Sequence, residues 1–456
     1  MLNPRPPICY RRLLVSHRRI SLGLGCLTAC VLYPATPARA QEALNNALSL
    51  DWAEAQMNAP KPQATNSAAT FSPEPRRLGP VQYSLGAYAG AAFTDNINLA
   101  QYAPQSDLIL SGGVNVGLIW PATPQSELDF STAIGHTKYL SHSGNDHLDV
   151  APGSVLTWKI ACTDGSLTFF DQISDSQAVI TEASVSGISS LPRIDNTIGT
   201  RAEWDPGRWL LSLGYSHENY FSDAAADQYL NRASEDFFAR GGHLLAQDTR
   251  LGLEASVSLT AYELPLQSNN TSYSLGPYLE WQITHFLDAS VRGGYTIYAF
   301  DANGPQQPAY SLDAYYANLT LTQQLTEFVS QTLSVERDIS LGLSQGNNYT
   351  EQWTAGYTVN WAATAHLGLN LNLTWENGGQ PFTEWTQIFV GQFHAGEIPT
   401  TFNENYTRVG FSPGLSYQIT QKLGGSLQYS HWERTSNFPG DAYHNNLMTL
   451  QFNYSF

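Results

Sequence analysis

Cysteine is nearly missing from this chain, and the few present are badly placed for a scaffold. Three of the four (Cys9, Cys26 and Cys30) fall within the first 40 residues, leaving only Cys162 beyond them. Residues 41–456 therefore hold neither an intrachain disulfide nor a cysteine metal cluster. Basic residues are also scarce. Of 22 Lys and Arg, six (Arg5, Arg11, Arg12, Arg18, Arg19 and Arg39) lie in residues 1–40, so the rest of the chain carries 16 basic against 39 acidic residues, a formal −23. That balance excludes nucleic-acid binding, which needs clustered cations to displace counterions. Charge of either sign is thin, at 13% of residues against about 25% in a typical soluble protein. Long hydrophobic runs are absent too: past residue 40 no stretch approaches the roughly 18 residues that a spanning helix needs. A helical membrane protein is excluded, but strands are not.

What the chain does have is alternation. The final run, Met448, Leu450, Phe452, Tyr454 and Phe456 against Thr449, Gln451, Asn453 and Ser455, puts apolar groups on one face of a strand and polar groups on the other. Leu367, Leu369, Leu371, Leu373 and Trp375 oppose Gly368, Asn370, Asn372 and Thr374 in the same way, and 250–263, 286–299 and 348–361 repeat the pattern. Counting such segments across 81–456 predicts an all-β, transmembrane antiparallel β-barrel of about 18 strands, with 16 as the alternative count. Links after even-numbered segments are short and those after odd-numbered ones longer, as barrels with tight periplasmic turns and longer outer loops require. Outward-facing Trp158, Trp204, Trp209, Trp281, Trp353, Trp361 and Trp375 fall near strand ends, where aromatic girdles belong. Arg337 falls on the lipid face, where a basic residue at the midplane costs about 2–4 kcal/mol.

The start of the chain has a different character. Residues 1–40 combine basic residues, no acidic ones and a short apolar stretch from Ile20 to Leu32, the layout of a signal peptide cut after Ala40 in an A-x-A context. The competing cut is a lipoprotein-type site at Leu27-Thr28-Ala29-Cys30. Residues 41–80 read as a periplasmic extension and linker, and 81–456 as the barrel. The destination implied is the outer membrane of a Gram-negative bacterium, with lipid, lipopolysaccharide and the barrel-assembly machinery as partners and Phe456 as the assembly signal.

For chemistry, the sequence offers no nucleophile elbow, no His-Glu-x-x-His and no phosphate-binding glycine loop. Its histidines stand singly, so no enzyme, metal or cofactor is expected. Alternation places Arg201, Arg240, Arg292, Arg408 and Arg434 in the lumen with Glu203, Glu254, Glu280, Asp288 and Glu336. Opposed charges there either set a transverse field across a pore or pair with one another to stiffen the wall. Tyr262, Tyr278 and Tyr298 share the inward parity, as stacking faces for a solute or as packing between strands. The segment 377–403, with Phe382, Trp385, Phe389 and Phe393, is the expected inward-folding constriction loop. A passive channel for polar solutes follows from these readings, the rival being a structural or adhesive barrel with a closed lumen.

The stretch Ala91-Ala92-Phe93-Thr94-Asp95-Asn96-Ile97, followed by Ser106-Asp107-Leu108-Ile109-Leu110, resembles the β-barrel porins associated with exopolysaccharide operons, in which an Asp-Asn pair closes the first strand and a Ser-Asp pair opens the next. The resemblance implies an outer-membrane channel serving polysaccharide export, and no catalytic residues. An acidic polymer would call for a basic lumen, so the acidic composition points to a neutral glycan or a small solute.

Overall fold

The computed structural model describes residues 76–222, 224–303, 308–390 and 393–456, without the side chains of 382–400. The expected signal peptide and most of the expected linker lie outside the described residues. The strands are β1 (Arg76–Leu78), β2 (Val81–Thr94), β3 (Asp107–Thr123), β4 (Ser126–Tyr139), β5 (His147–Cys162), β6 (Gly165–Ser176), β7 (Arg193–Trp204), β8 (Trp209–Phe221), β9 (Arg232–Ala246) and β10 (Thr249–Tyr262). They continue with β11 (Asn270–Thr284), β12 (Leu287–Phe300), β13 (Tyr310–Thr326), β14 (Val329–Leu341), β15 (Tyr349–Ala362), β16 (Leu367–Val390), β17 (Phe393–Gln418), β18 (Leu423–Ser436) and β19 (Tyr443–Ser455).

Each strand from β2 to β19 pairs antiparallel with its chain neighbours, and β19 pairs with β2 from Ser455↔Gly86 to Leu447↔Thr94, closing a ring of 18. The short β1 pairs with the start of β2 (Leu78↔Val81) below the end of β19. Closure removes the sheet edge, and the side chains that would form a soluble core face outward instead. Leu253, Leu275 and Ile198 are each more than half exposed, while Ser212, Glu254 and Arg408 on the other face are buried. An even-numbered antiparallel barrel with an apolar exterior is the architecture of bacterial outer membranes. This chain is an outer-membrane β-barrel.

The two girdles set its height. Trp120, Trp158, Trp204, Trp209, Trp281 and Trp361 ring the end with the tight turns, all exposed. Trp353 lies eight residues above Trp361 on β15, which is about 26 Å of strand and roughly 20 Å of height at the usual tilt. Arg337 pairs in register with Trp353, so it sits at the outer girdle and not at the midplane. Its guanidinium lies 3.9 Å from the centre of the Tyr315 ring and bonds Glu351 at 2.8 Å. The sequence parity was correct, and the cost is offset by depth and by partners.

The expected loop at 377–403 takes another form. Its backbone continues β16 and β17 as a ladder out to Val390↔Phe393, while pairing of β16 with β15 ends at Glu351↔Gly379. The side chains of Phe382, Trp385, Phe389 and Phe393 lie outside those described, so the constriction assigned to them has no side-chain description. A different segment, 177–192 between β6 and β7, enters the barrel.

Candidate functional site

The inner wall repeats one motif. Where a lumen-facing glycine on one strand lies beside an aromatic residue, the ring lies flat against the wall in the space a Cβ would occupy. A Cβ on Gly242 or Gly252 would overlap Tyr278, one on Gly378 would overlap Tyr406, and one on Gly410 would overlap Trp432. An arginine then lies over each ring: Arg240 at 3.7 Å from the Tyr278 centroid, Arg434 at 4.6 Å from Tyr406 and Arg408 at 4.5 Å from Trp432. A carboxylate closes each stack, Glu280 with Arg240 at 2.6 Å, Glu404 with Arg434 at 2.7 Å, and Glu376 with Arg408 through two bonds of 2.5 and 2.9 Å. Desolvated cation–π contacts contribute on the order of 2 kcal/mol, and the bidentate pair adds directional strength.

The other inward charges pair as well. Arg201 bonds Glu203 at 2.5 Å and donates to Ser212 Oγ at 3.0 Å. Arg292 stands 4.0 Å from Glu254, which also accepts from Tyr316 Oη at 3.0 Å. Glu336 is buried on the same face of β14. Asp288 is exposed near the tight-turn end of β12. Tyr278, flat over two glycines and nearly inaccessible, is a packing residue. Tyr298 is buried too and donates to the Ile339 carbonyl at 3.3 Å. Tyr262 closes β10, its amide bonded to Asn269 Oδ1.

Two of these arginines reach further. Arg408 donates from Nη1 to the Ile180 carbonyl at 2.7 Å, and Arg434 donates from Nε to the Ala183 carbonyl at 2.9 Å. Gln380 donates to the Ser184 carbonyl at 2.9 Å and to Glu404 at 2.6 Å. The segment 177–192 leaves the wall at β6, seven strands from β17 the short way round the ring and eleven the long way. It therefore crosses the lumen, and the far wall holds its backbone carbonyls. Those carbonyls would otherwise need water, so the guanidinium donors satisfy them inside the barrel. The Arg193–Glu182 pair at 3.1 Å braces the near end.

The crossing loop has an apolar side. Val179, Val185 and Leu191 pack with Leu99 from the β2–β3 loop, Leu230 from the β8–β9 loop, and the wall residues Tyr220, Trp432 and Tyr443. This small core lies inside the outer mouth. Loop-to-loop bonds tie it together: Gly187 N–H to the Leu99 carbonyl at 3.0 Å, Tyr229 Oη to the Leu343 carbonyl at 2.8 Å and Gln267 to the Ser344 carbonyl at 3.0 Å. Burial pushes the Tyr229 hydroxyl up to about 12, so at neutral pH it remains a donor. Sequence reading missed 177–192, Gln380 and Glu404. The only available signal was an apolar content (Val179, Ile180, Val185, Ile188, Leu191) unusual for an outer loop.

Of the pairs that carried the family resemblance, Asp95-Asn96 sits at the barrel seam and Ser106-Asp107 at the start of β3. Asp95 accepts from the Asn446 amide at 2.7 Å and from its side chain at 2.6 Å. Asn96, fully buried, donates to the His444 carbonyl at 2.7 Å, and Asp107 accepts from the backbone of Ser141 and His142. Asp95 and Asn96 fasten the end of β2 to β19, and Asp107 fastens the start of β3 to the link after β4. At the other end of the seam Phe456 turns outward, its amide bonded to the Leu85 carbonyl at 3.1 Å.

Below the crossing loop the lumen has two different walls. On the lower halves of β13 to β19 the inward positions are Ser, Thr, Asn, Gln and Gly with few exceptions, and none is charged. Thr320, Thr322, Thr358, Asn360, Asn370 and Asn372 are among those at least partly exposed. Across the lumen, β7 to β12 carry the paired charges. No protein-family model matches the chain and no curated protein matches it. Among solved structures it is similar to the crystal structures of Pseudomonas aeruginosa OpdQ (12% identity, TM-score 0.45, covering 82% of this chain and 98% of that one) and OccK1, also called OpdK (9%, 0.46, 82% and 99%). It is also similar to Acinetobacter baumannii OccAB3 (11%, 0.43, 82% and 99%).

Proposed function

We propose that this protein is a passive outer-membrane channel for small polar solutes, narrowed by the crossing segment 177–192. The observation that carries this reading is the ring of 18 strands, wide enough for an aqueous lumen, with a polar inner face and a loop tied across it by Arg408 and Arg434. The chain's own residues do the selecting: the wall offers hydroxyl and amide groups, and the loop sets the aperture. No covalent step is involved. Lipid and lipopolysaccharide surround the girdles, and Phe456 serves as the assembly signal.

Passage of an exopolysaccharide is the finer form of this reading, and it rests on the Asp95-Asn96 and Ser106-Asp107 resemblance. Since Asp95, Asn96 and Asp107 bond across the seam and to the neighbouring strand end, they speak to closure more than to cargo, and a polymer would need the loop displaced. A second reading, a structural barrel with a closed lumen, is favoured by the apolar core formed by Leu99, Val179, Val185, Leu191 and Leu230 in the mouth. Planar-bilayer recording decides between them. The channel reading expects discrete conductance steps that grow when 177–192 is replaced by a short Gly-Ser link. Silence in both proteins would leave the closed barrel.

A further inference from the structure

We propose that the inner wall of β13 to β19 is a track for uncharged, polyhydroxylated solutes such as sugars and polyols, and that the lumen turns back carboxylate-bearing solutes of the same size. This inference rests on the channel reading and adds the class of solute.

Three observations converge. First, the two arginines beside the crossing loop are unavailable. Arg408 and Arg434 are inaccessible, and their donors go to Glu376, Glu404 and the carbonyls of the crossing loop. Second, in two pairs nearer the tight-turn end the carboxylate is the water-facing partner, while in a third, Arg292 with Glu254, both side chains are largely covered (11% and 0% exposed). The Glu280 side chain is 37% exposed against 7% for Arg240, and Glu203 is 24% exposed against 6% for Arg201. An anion entering the lumen therefore meets negative groups with their counter-ions behind them, which raises its electrostatic barrier. Third, the facing wall is a neutral carpet. Thr322, Thr358, Asn360, Asn370 and Asn372 present hydroxyl and amide groups, each able to donate and accept. Strand spacing sets neighbouring groups about 4.8 Å apart. A polyol, with donors and acceptors along its length, exchanges water for these groups at little net free energy. Such weak multi-site contact is what conduction needs.

The test uses the full-length protein in proteoliposomes and planar bilayers, with glucose and sorbitol as neutral probes and gluconate as the size-matched anion. The expected result is permeation of the neutral probes at least about threefold faster than gluconate, with ion current present. The Asn370→Leu/Asn372→Leu variant is expected to slow the neutral probes while keeping its ion current, bringing the ratio toward one. The more conservative Thr322→Val, at an exposed position, is expected to move the ratio the same way by a smaller step. Gluconate permeating as fast as glucose through a protein that conducts ions overturns this inference and leaves the channel reading standing. A ratio unchanged in the folded variants also overturns it. Absence of both ion current and permeation removes the channel reading and this inference together.

Discussion

At the residue scale, the inner wall is organised by glycines placed opposite aromatic rings. Adding a side chain there must displace a ring together with the arginine above it. Gly252→Val is expected to push Tyr278 off the wall and loosen Arg240, a cost of about 1–3 kcal/mol typical of overpacking. Gly241→Val, where a Cβ meets open space, is the control and is expected to change little. The temperature at which the folded, fast-migrating form is lost in detergent electrophoresis measures both. Arg408→Ala would leave Glu376 buried without its counter-ion, costing about 3–5 kcal/mol, and the double variant Arg408→Met/Glu376→Leu is expected to recover much of that loss. The same assay shows whether it does. The parity of Arg201, Arg240, Arg292, Arg408 and Arg434 was legible in the sequence because side chains alternate on a strand. Their partners were not, since Arg408 and Glu376 are 32 positions apart and meet only through the register of β16 and β17.

At the element scale, alternation identified the strands, including β6 and β9, where it was weakest. It failed at 377–403 because Pro381, Gly391, Gly396 and Pro399 read as loop. Proline is excluded from central strands by its missing N–H. Beyond Gly379 and Tyr406, however, β16 and β17 pair only with each other in the described ladder, so one edge of each strand makes no demand. The crossing loop was invisible for another reason: its carbonyls meet Arg408 and Arg434 at separations of 228 and 251 residues. The loop also meets Asp441 of the β18–β19 link. Burial first, and then the charge of Glu404, raise the Asp441 carboxyl above its ordinary value, while a bond from Ser186 and the Arg434 charge pull it down. The folded protein thus holds this proton more tightly than the unfolded chain. This group's contribution to folding is fully present below the ordinary carboxylate range and is lost as pH rises through the raised value. Hydrogen exchange at Gly187 and Gly440 is expected to accelerate, as pH rises above the ordinary carboxylate range, by more than the intrinsic rate predicts. Asp441→Asn is expected to flatten that dependence; an unchanged profile in the variant would count against it.

At the scale of the whole molecule, closure is the defining event. β2 and β19 are separated by nearly the entire barrel sequence and are fastened by Asp95, Asn96, Asn445 and Asn446. Asn96→Ala leaves the His444 carbonyl on β19 and the Ala100 amide in the β2–β3 loop without their partner and is expected to cost about 1–3 kcal/mol. It should appear as a lower melting temperature and a slower accumulation of folded barrel in refolding from urea. The family-like pairs were visible in the sequence as a motif, whereas the task of Asp95-Asn96 at the seam emerged only when the two ends of the chain were seen side by side.

The sequence by itself determined the class of the molecule: strands, their faces, their approximate number, the end with tight turns and the aromatic belts. All of these are encoded in a period of two and in the spacing of turn residues, which are local properties. Tertiary structure alone decided which loop crosses the lumen, which charge of each pair faces water and which wall is neutral. Those outcomes depend on which distant strands are brought opposite one another, and hydrogen-bond register, unlike alternation, is a relation between segments that neither one carries alone.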